Sequence, residues 1–342
     1  MYSFSQKDGL AQALRRLRSR GALCALVLAW AAASLPLTST AGAYPERPIK
    51  LVVPFPPGGA TDNVTRVIAT SMSETLGQPV VIENRAGAGA IIGAEAVAKA
   101  EPDGYTILST TAGVHIVNPA IYKKLPYDPL RSFAMIGQTI SAPLAVVVLT
   151  SSPFKTAQDL IAYAKKHPGK LTYGSAGNGT SLNQSGEMFK EAAGVNILHI
   201  PYKGAGPATN DFLGGQVDVM FSYVASVLPH VKGGKVRILA IGSPRRLALL
   251  PDVPTVGEVV GRPAYDSDTW TGLAAPAGTS AEVVTRLNKA LEAALSQNRE
   301  MLAANGYVVL GGSPQQMTQR VSTELKTVTP LLARIMGPMD GK

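Results

Sequence analysis

Four times in this chain a short apolar run ends in glycines and small hydroxyl residues and passes straight into a helix-like pattern: PFPPGGATD (54–62), NRAGAGAIIG (84–93), YGSAGNGTS (173–181) and YKGAGPATND (202–211). No other feature restricts the fold as much. Strand, glycine-rich turn and helix together form the repeating unit of a wound α/β sheet. At each junction the helix begins with backbone N–H groups that have no intrahelical partner, and its dipole favours negative charge there. In open α/β sheets, ligands bind at the carboxyl edge of the strands. A single turn of this kind is more often tight geometry alone. Four in matching positions, two in each half of the chain, predict two anion-binding edges facing one cleft.

The rest of the pattern fits that frame. Strands are predicted at Lys50–Phe55, Pro79–Glu83 and Tyr105–Ser109, with helices at Asp62–Leu76 (stopped by Gly77) and Gly93–Ala100. The rhythm restarts with a strand at Leu144–Thr150 and a helix capped by Thr156 with Asp159 three residues on. Strands follow at Leu171–Gly174, Ile197–Pro201, Val217–Tyr223 and Val236–Ile241, interleaved with helices at Thr180–Ala193 and Pro207–Leu213. Ala264–Trp270 leads back to the first half, and helices over Ala281–Ala304 and Pro314–Ile335 close the chain. Two crossings, near 142–148 and 264–271, predict two lobes joined by a two-strand hinge, each lobe a doubly wound, mostly parallel sheet. Residues 44–145 plus 266–342 would form lobe 1 and 146–265 lobe 2, closing on a ligand.

Residues 1–43 read as a secretory signal peptide: Arg15, Arg16, Arg18 and Arg20, then an apolar stretch from Ala22 to Ala33, then Ala41-Gly42-Ala43 before a cleavage point near Ala43/Tyr44. The apolar stretch is too short to span a bilayer. Cys24 lies inside it, behind Leu23 rather than a small residue, which argues against a lipoprotein. The expected location is the periplasm, with no membrane-embedded part. Loss of this segment takes away five cations and one anion, so the net charge falls from +9 to +5. That mild excess, with no basic cluster, suits small anions and not nucleic acid. The only cysteine leaves with it, so no disulfide or thiolate metal site is available. Only 16% of residues are charged, with 34 Gly and 25 Pro, which is the composition of a turn-rich globular chain and not of a disordered one.

Nucleotide chemistry fits poorly. Gly87, Gly89 and Gly93 spell GxGxxxG rather than GxGxxG, and no GK[ST] follows any glycine. His115, His167, His199 and His230 form no HxxH or HExxH pair, so no metal is expected, and no cofactor either. There is no GxSxG elbow. His199 is read as a core or hydrogen-bonded residue, His167 as a helix-end cation, and Asp266 with Asp268 as decoration of an exposed turn. No catalytic residue is assigned, and an exported hydrolase using the same cleft remains the alternative function.

Taken together, YPERPIKLVVPFPPGGATD, VVIENRAGAGAIIGAEAVAKAEPDGYTIL, LTYGSAGNGTS, HIPYKGAGPATNDFLGGQVDVMF, RILAIGSPRRLALLPDVPTVGE and WTGLAAPAGT resemble the tripartite tricarboxylate transporter receptors, the Bug family of periplasmic solute-binding proteins. The resemblance covers essentially all of 44–335. It implies a type II periplasmic binding fold and one small carboxylated ligand: a dicarboxylate, tricarboxylate, acidic amino acid or aromatic acid. It also implies a monomer that delivers to a two-component membrane permease or serves in sensing. Carried over by residue, it assigns ligand binding to Phe55, Pro56, Gly58, Gly59 and Asp62 in the first turn and to Thr110 and Thr111 at the third strand's end. In the second half it assigns Ser175, Gly177, Asn178, Gly179 and Thr180, with Tyr202 opening the fourth turn; Gly87 and Gly89 complete the set from the second. Asp218 is assigned a structural role. At Asn183 the family more often has His; Asn keeps a donor and an acceptor but cannot become a cation. Asp62 is read as the helix N-cap or as a contact for a water or a ligand ammonium.

Overall fold

The computed structural model describes residues 44–338, so the signal peptide expected over 1–43 lies outside the described residues. The chain runs β1 (Ile49–Val53), α1 (Ala60–Leu76), β2 (Val80–Asn84), α2 (Ile91–Ala98) and β3 (Thr106–Thr111). A π-helical turn (Gly113–Val117) and one turn of helix, α3 (Asn118–Ile121), follow. Next come β4 (Phe133–Ala142), β5 (Leu144–Leu149), α4 (Ala157–Lys166), β6 (Thr172–Ser175), α5 (Ser181–Ala193), β7 (Leu198–Pro201) and α6 (Ala205–Leu213). Then come β8 (Val219–Tyr223), α7 (Val224–Lys232), β9 (Val236–Ile241), α8 (Val256–Val260), β10 (Thr269–Pro276), α9 (Ala281–Ala304), β11 (Val308–Val309) and α10 (Pro314–Met336).

Local sequence explains most of these boundaries. In β1, Ile49, Leu51, Val52 and Val53 are all buried, as a strand covered on both faces requires. In α1, Val64, Ile68, Met72 and Leu76 recur every fourth residue and are buried on one face. Gly77 then takes a left-handed φ of 71° and sends its N–H to the Ser73 carbonyl. Thr156 and Asp159 make the predicted capping box of α4.

The strands form two sheets, in the orders β11–β4–β10–β3–β1–β2 and β7–β6–β8–β5–β9. The architecture is the expected two-lobed α/β one, but each sheet is mixed rather than mostly parallel. β1 pairs in parallel with β2 and β3, and β6 with β7 and β8, while the remaining pairs are antiparallel. The crossings are the reason. β4 and β9 run with the parallel strands and leave at the carboxyl edge. β5 and β10 enter the other sheet from that same edge, so they must run the opposite way. Both crossings therefore join carboxyl edge to carboxyl edge, and the two sets of strand-to-helix turns face each other.

Asp268 ties the crossings together. Its carboxylate accepts the Leu144 N–H (3.2 Å), the Ser141 hydroxyl (3.3 Å) and the Ser243 hydroxyl (2.5 Å). Gly242 donates to the Leu144 carbonyl at 2.7 Å, and a Cβ there would stand 2.3 Å from the Ser267 hydroxyl, which would have to turn away. The reading of Asp266 and Asp268 as surface decoration is thus corrected for Asp268. Its burial and the neighbouring Asp266 carboxylate push its pKa up to about 7, against the pull of the Ser243, Leu144 and Ser141 donors.

The helix α10 packs along both halves. Met317, Val321 and Leu332 are buried, Trp270 of β10 donates its indole N–H to Glu324 at 2.8 Å, and Arg334 reaches Glu191 of α5 at 3.4 Å. Each large apolar side chain fully buried in this way stabilises the fold by about 1.5–3 kcal/mol. Among the described residues, no helix is long and apolar enough to cross a membrane.

Candidate functional site

In the first lobe, three strand-to-helix turns are bound to one another. The amide of Asn84, at the end of β2, donates to the Phe55 carbonyl (3.0 Å) and to the Asp62 carboxylate (2.8 Å). Gly93 lets the second turn lie against the first: a Cβ there would come within 2.7 Å of Pro54 and 2.9 Å of the Arg85 carbonyl. Asn118 donates to the Gly89 carbonyl at 3.0 Å, joining the second turn to the third. The backbone through the second turn is left-handed for four residues: Gly87 (φ 138°), Ala88 (47°), Gly89 (62°) and Ala90 (76°). At the two alanines this costs about 1–2 kcal/mol each, strain of the kind held at functional sites.

Asp62 resolves differently from either expectation. The N-cap of α1 is Gly59, and Asp62 is the third residue of the helix. Its buried carboxylate accepts the Gly58 N–H at 2.9 Å, the Asn84 amide, and two guanidinium contacts from Arg66 at 2.8 and 3.1 Å. Burial raises its pKa, but these donors outweigh it and hold the group at about 2. Asp62 is therefore a permanent anion, neutralised by Arg66, that pins the glycine turn. Arg85 is likewise engaged, with Glu83.

The two threonines at the end of β3 point to opposite faces. Thr110 bonds the buried His115 at 2.8 Å, and burial holds that histidine's pKa down near 4. Thr111 shares a face with Ser109, whose hydroxyl bonds Thr65 of α1 at 2.7 Å. Two strand residues rise about 6.6 Å, and one helical turn back from Thr65 to Thr61 rises about 6 Å. Thr111 therefore lies level with the first turn of α1. Its hydroxyl oxygen is buried and has no hydrogen-bond partner among the described residues.

In the second lobe, Ser175 organises the loop before α5. Its hydroxyl meets His199 at 2.7 Å, accepts from the Gly177 N–H at 3.1 Å and faces the Gly177 carbonyl at 3.2 Å. Thr180 caps α5 and donates to the Gly177 carbonyl at 2.7 Å. Asn183 accepts the Gly179 N–H (3.1 Å) and donates to the Tyr173 hydroxyl (2.9 Å). Ser175 is fully buried, and the far nitrogen of His199 meets the Asn183 amide at 3.4 Å. His199 is thus hydrogen-bonded and stacked on Tyr173, as read from the sequence. Tyr202 closes this turn onto the next through its N–H to the Ser175 carbonyl. Asn178 is exposed at the loop tip. Asp218 accepts from both the N–H and the hydroxyl of Thr172, a structural role.

Between the lobes lies a groove of about 380 Å³ lined by Gly58 and the first turns of α1 as far as Val67, by Ala225 and Ser226 at the start of α7, and by Met301, Leu302, Asn305 and Tyr307, so that part of its wall is apolar. Of the sequence-predicted residues, Gly58 lines it. The α7 residues were missed, because Pro229 inside VASVLPHVK masks a helix whose preceding strand runs into it without a glycine. No side chain caps α1, α2, α6 or α7; the Ile91 N–H of α2 is taken by the Ala88 carbonyl and the Val224 N–H of α7 by the Pro143 carbonyl, which leaves the starts of α1 and α6 and the Ala225 and Ser226 N–H groups of α7 open at the carboxyl edges.

Comparison with known proteins places this geometry. Residues 64–336 match the tripartite tricarboxylate transporter family receptor. The structure of the periplasmic binding protein BugD is similar at 39% identity, over 86% of this chain and 99% of that one, with a TM-score of 0.74. An R. palustris protein solved with adipate is 36% identical over 86% of this chain and all of its own, with a TM-score of 0.77. MatC from Rhodopseudomonas palustris, with bound malate, is 33% identical over 85% of this chain and 100% of its own, with a TM-score of 0.74.

Proposed function

Because the chain belongs to the tripartite tricarboxylate transporter receptor family, a family of periplasmic receptors, we propose that it captures a short dicarboxylate between its lobes and passes it to a two-component membrane permease. The lobes in this reading are 44–145 with 266–342, and 146–265.

The observation that carries the reading is the set of helix starts. At the facing carboxyl edges, α1, α2, α6 and α7 begin without side-chain caps, and the Thr111 hydroxyl is buried without a partner beside α1. Open N–H groups from both lobes suit a ligand with a carboxylate at each end. Malate and adipate, held by two relatives, are both of this kind. Recognition rests on N–H dipoles and hydroxyls, since Arg66 and Arg85 already have carboxylate partners. Asp62, Ser175, Thr180 and Asn183 act by holding the turns in shape, and Thr110 by anchoring β3 to His115.

Calorimetric titration with malate and adipate tests this, comparing wild type with Gly59→Asp. Gly59 has extended backbone (φ −76°, ψ 167°), and a Cβ there would meet nothing closer than 3.8 Å. The aspartate fits and, as a good N-cap, takes the N–H groups itself. The expected outcome is saturable binding of at least one acid, weakened tenfold or more (about 1.4 kcal/mol), at unchanged melting temperature. No binding to wild type across the short dicarboxylate series, or equal affinity in the variant, would refute the reading.

A further inference from the structure

A second cavity, of about 540 Å³, is lined by the crossing segments at Ser141 and Asp268 and shares Tyr307 with the groove. Its walls come from both lobes: the segment after β9 on one side, and the end of α9, β11 and α10 on the other. The volume is within the range of small-molecule sites. The buried Ser141 and Ser243, with Asp268 bonded to both, form its deep end. The exposed Leu249 and Val308 form its mouth, at 43% and 40% exposure, and they are among the few large apolar side chains of the described residues left so open.

The charges are arranged by depth. Arg246 and Arg320 are committed to Glu258 and Glu324. Arg245 and Arg299, exposed at the mouth on opposite walls, have no ion pair or hydrogen bond among the described residues. Asp268 lines the cavity beside the buried serines, where burial and the neighbouring, exposed Asp266 carboxylate already disfavour negative charge. An anionic head is thus welcome at the mouth and barred from the deep end. Leu247, Leu249, Val308 and Leu310 offer an apolar wall between.

We propose that this cavity is a second binding site, for an amphipathic monocarboxylate whose head meets Arg245 and Arg299 and whose hydrocarbon body lies on the leucine–valine wall. The acidic deep end rejects a second carboxylate, so the site selects against the short dicarboxylates of the interlobe groove.

Octanoate is the probe, in calorimetric titrations of the full chain below its micelle concentration. Wild type should bind one octanoate saturably, and a tenfold excess of adipate should not displace it. Arg245→Ala/Arg299→Ala should weaken binding at least tenfold, and Leu249→Ser severalfold, while Gly59→Asp leaves it unchanged. The proposal is overturned by any of three outcomes: no saturable octanoate binding, binding unaffected by the double arginine variant, or binding lost in Gly59→Asp or to adipate, which would put octanoate in the groove. Failure of wild type to bind malate or adipate would instead strike the groove reading and leave this one standing.

Discussion

Two populations of helix starts coexist in this molecule. Away from the groove, α4, α8, α9 and α10 begin on Thr156, Thr255, Ser280 and Ser313, whose hydroxyls each accept the N–H three residues on. At the carboxyl edges, α1, α2, α6 and α7 begin on Gly59, Ala90, Gly204 and Tyr223 with no such bond. A hydroxyl cap contributes about 1 kcal/mol over Ala but only a few tenths over Gly, so the starts on Ala90 and Tyr223 forgo more stability than those on Gly59 and Gly204. The difference teaches where helix starts are left without a side-chain cap. The exception sharpens the rule: α5 lies at the same edge, yet the Thr180 hydroxyl takes its Asn183 N–H, and the Asn183 side chain takes the Gly179 N–H just before it. In the proposed reading, recognition in the second lobe falls to α6 and α7.

The contrast can be broken at several points. The largest effect is expected at Gly93→Ala, which would press a Cβ against Pro54 and the Arg85 carbonyl. A loss of about 2–3 kcal/mol in urea unfolding is expected, together with loss of ligand binding, since two turns are forced apart. A variant as stable as wild type would show that the turns are not mutually supported.

Asp62→Asn comes next. Wild type should lose about 1–2 kcal/mol in the variant, the half-exposed Arg66 tempering the cost. The pH dependence has a definite sign. The folded pKa, about 2, lies below the ordinary value of 3.8, so the contribution is complete above pH ~4 and is lost as pH falls towards 2. Stability curves of wild type and variant should therefore converge on acidification; parallel curves would exclude the ion pair as the cause.

Thr156→Ala removes a cap at the back and should cost about 1 kcal/mol with ligand affinity unchanged; a change in affinity would erase the division between the two sets of helices. Thr111→Val has the smallest effect on stability, within about 0.5 kcal/mol, because the hydroxyl it removes has no partner among the described residues. Affinity for the dicarboxylate should nevertheless fall severalfold in calorimetry. Equal affinity would move the ligand away from β3.

Much of the fold was legible in the sequence. The apolar spacing of α1, the Thr156–Asp159 box and the glycine stop at Gly77 are encoded within four residues of where they act. The strand Phe133–Ala142 was not predicted, because FAMIGQTISA mixes Gly, Gln, Thr and Ser into a buried segment and has no clear period. The π-helical turn at Gly113–Val117 and the two-residue β11 likewise carry no local signal. Within the site, the four turns could be read, but the division of labour among their residues could not. Thr110 and Thr111 are identical in type and adjacent, and only the packing of His115 on one face makes one of them anchored and the other open.

By itself, then, the sequence determined the alternation of strands and helices, the glycine-rich junctions and the helix caps, since each depends on neighbours within a turn of the chain. The tertiary structure alone decided which way each crossing strand runs, that Asp62 is claimed by Asn84 as well as by its helix neighbour, and that Asp268 is drawn into the hinge by Ser141, Leu144 and Ser243. Those outcomes depend on partners brought together from 22 to 127 residues away, and a polar side chain's role is set by which of its hydrogen bonds the fold has already filled.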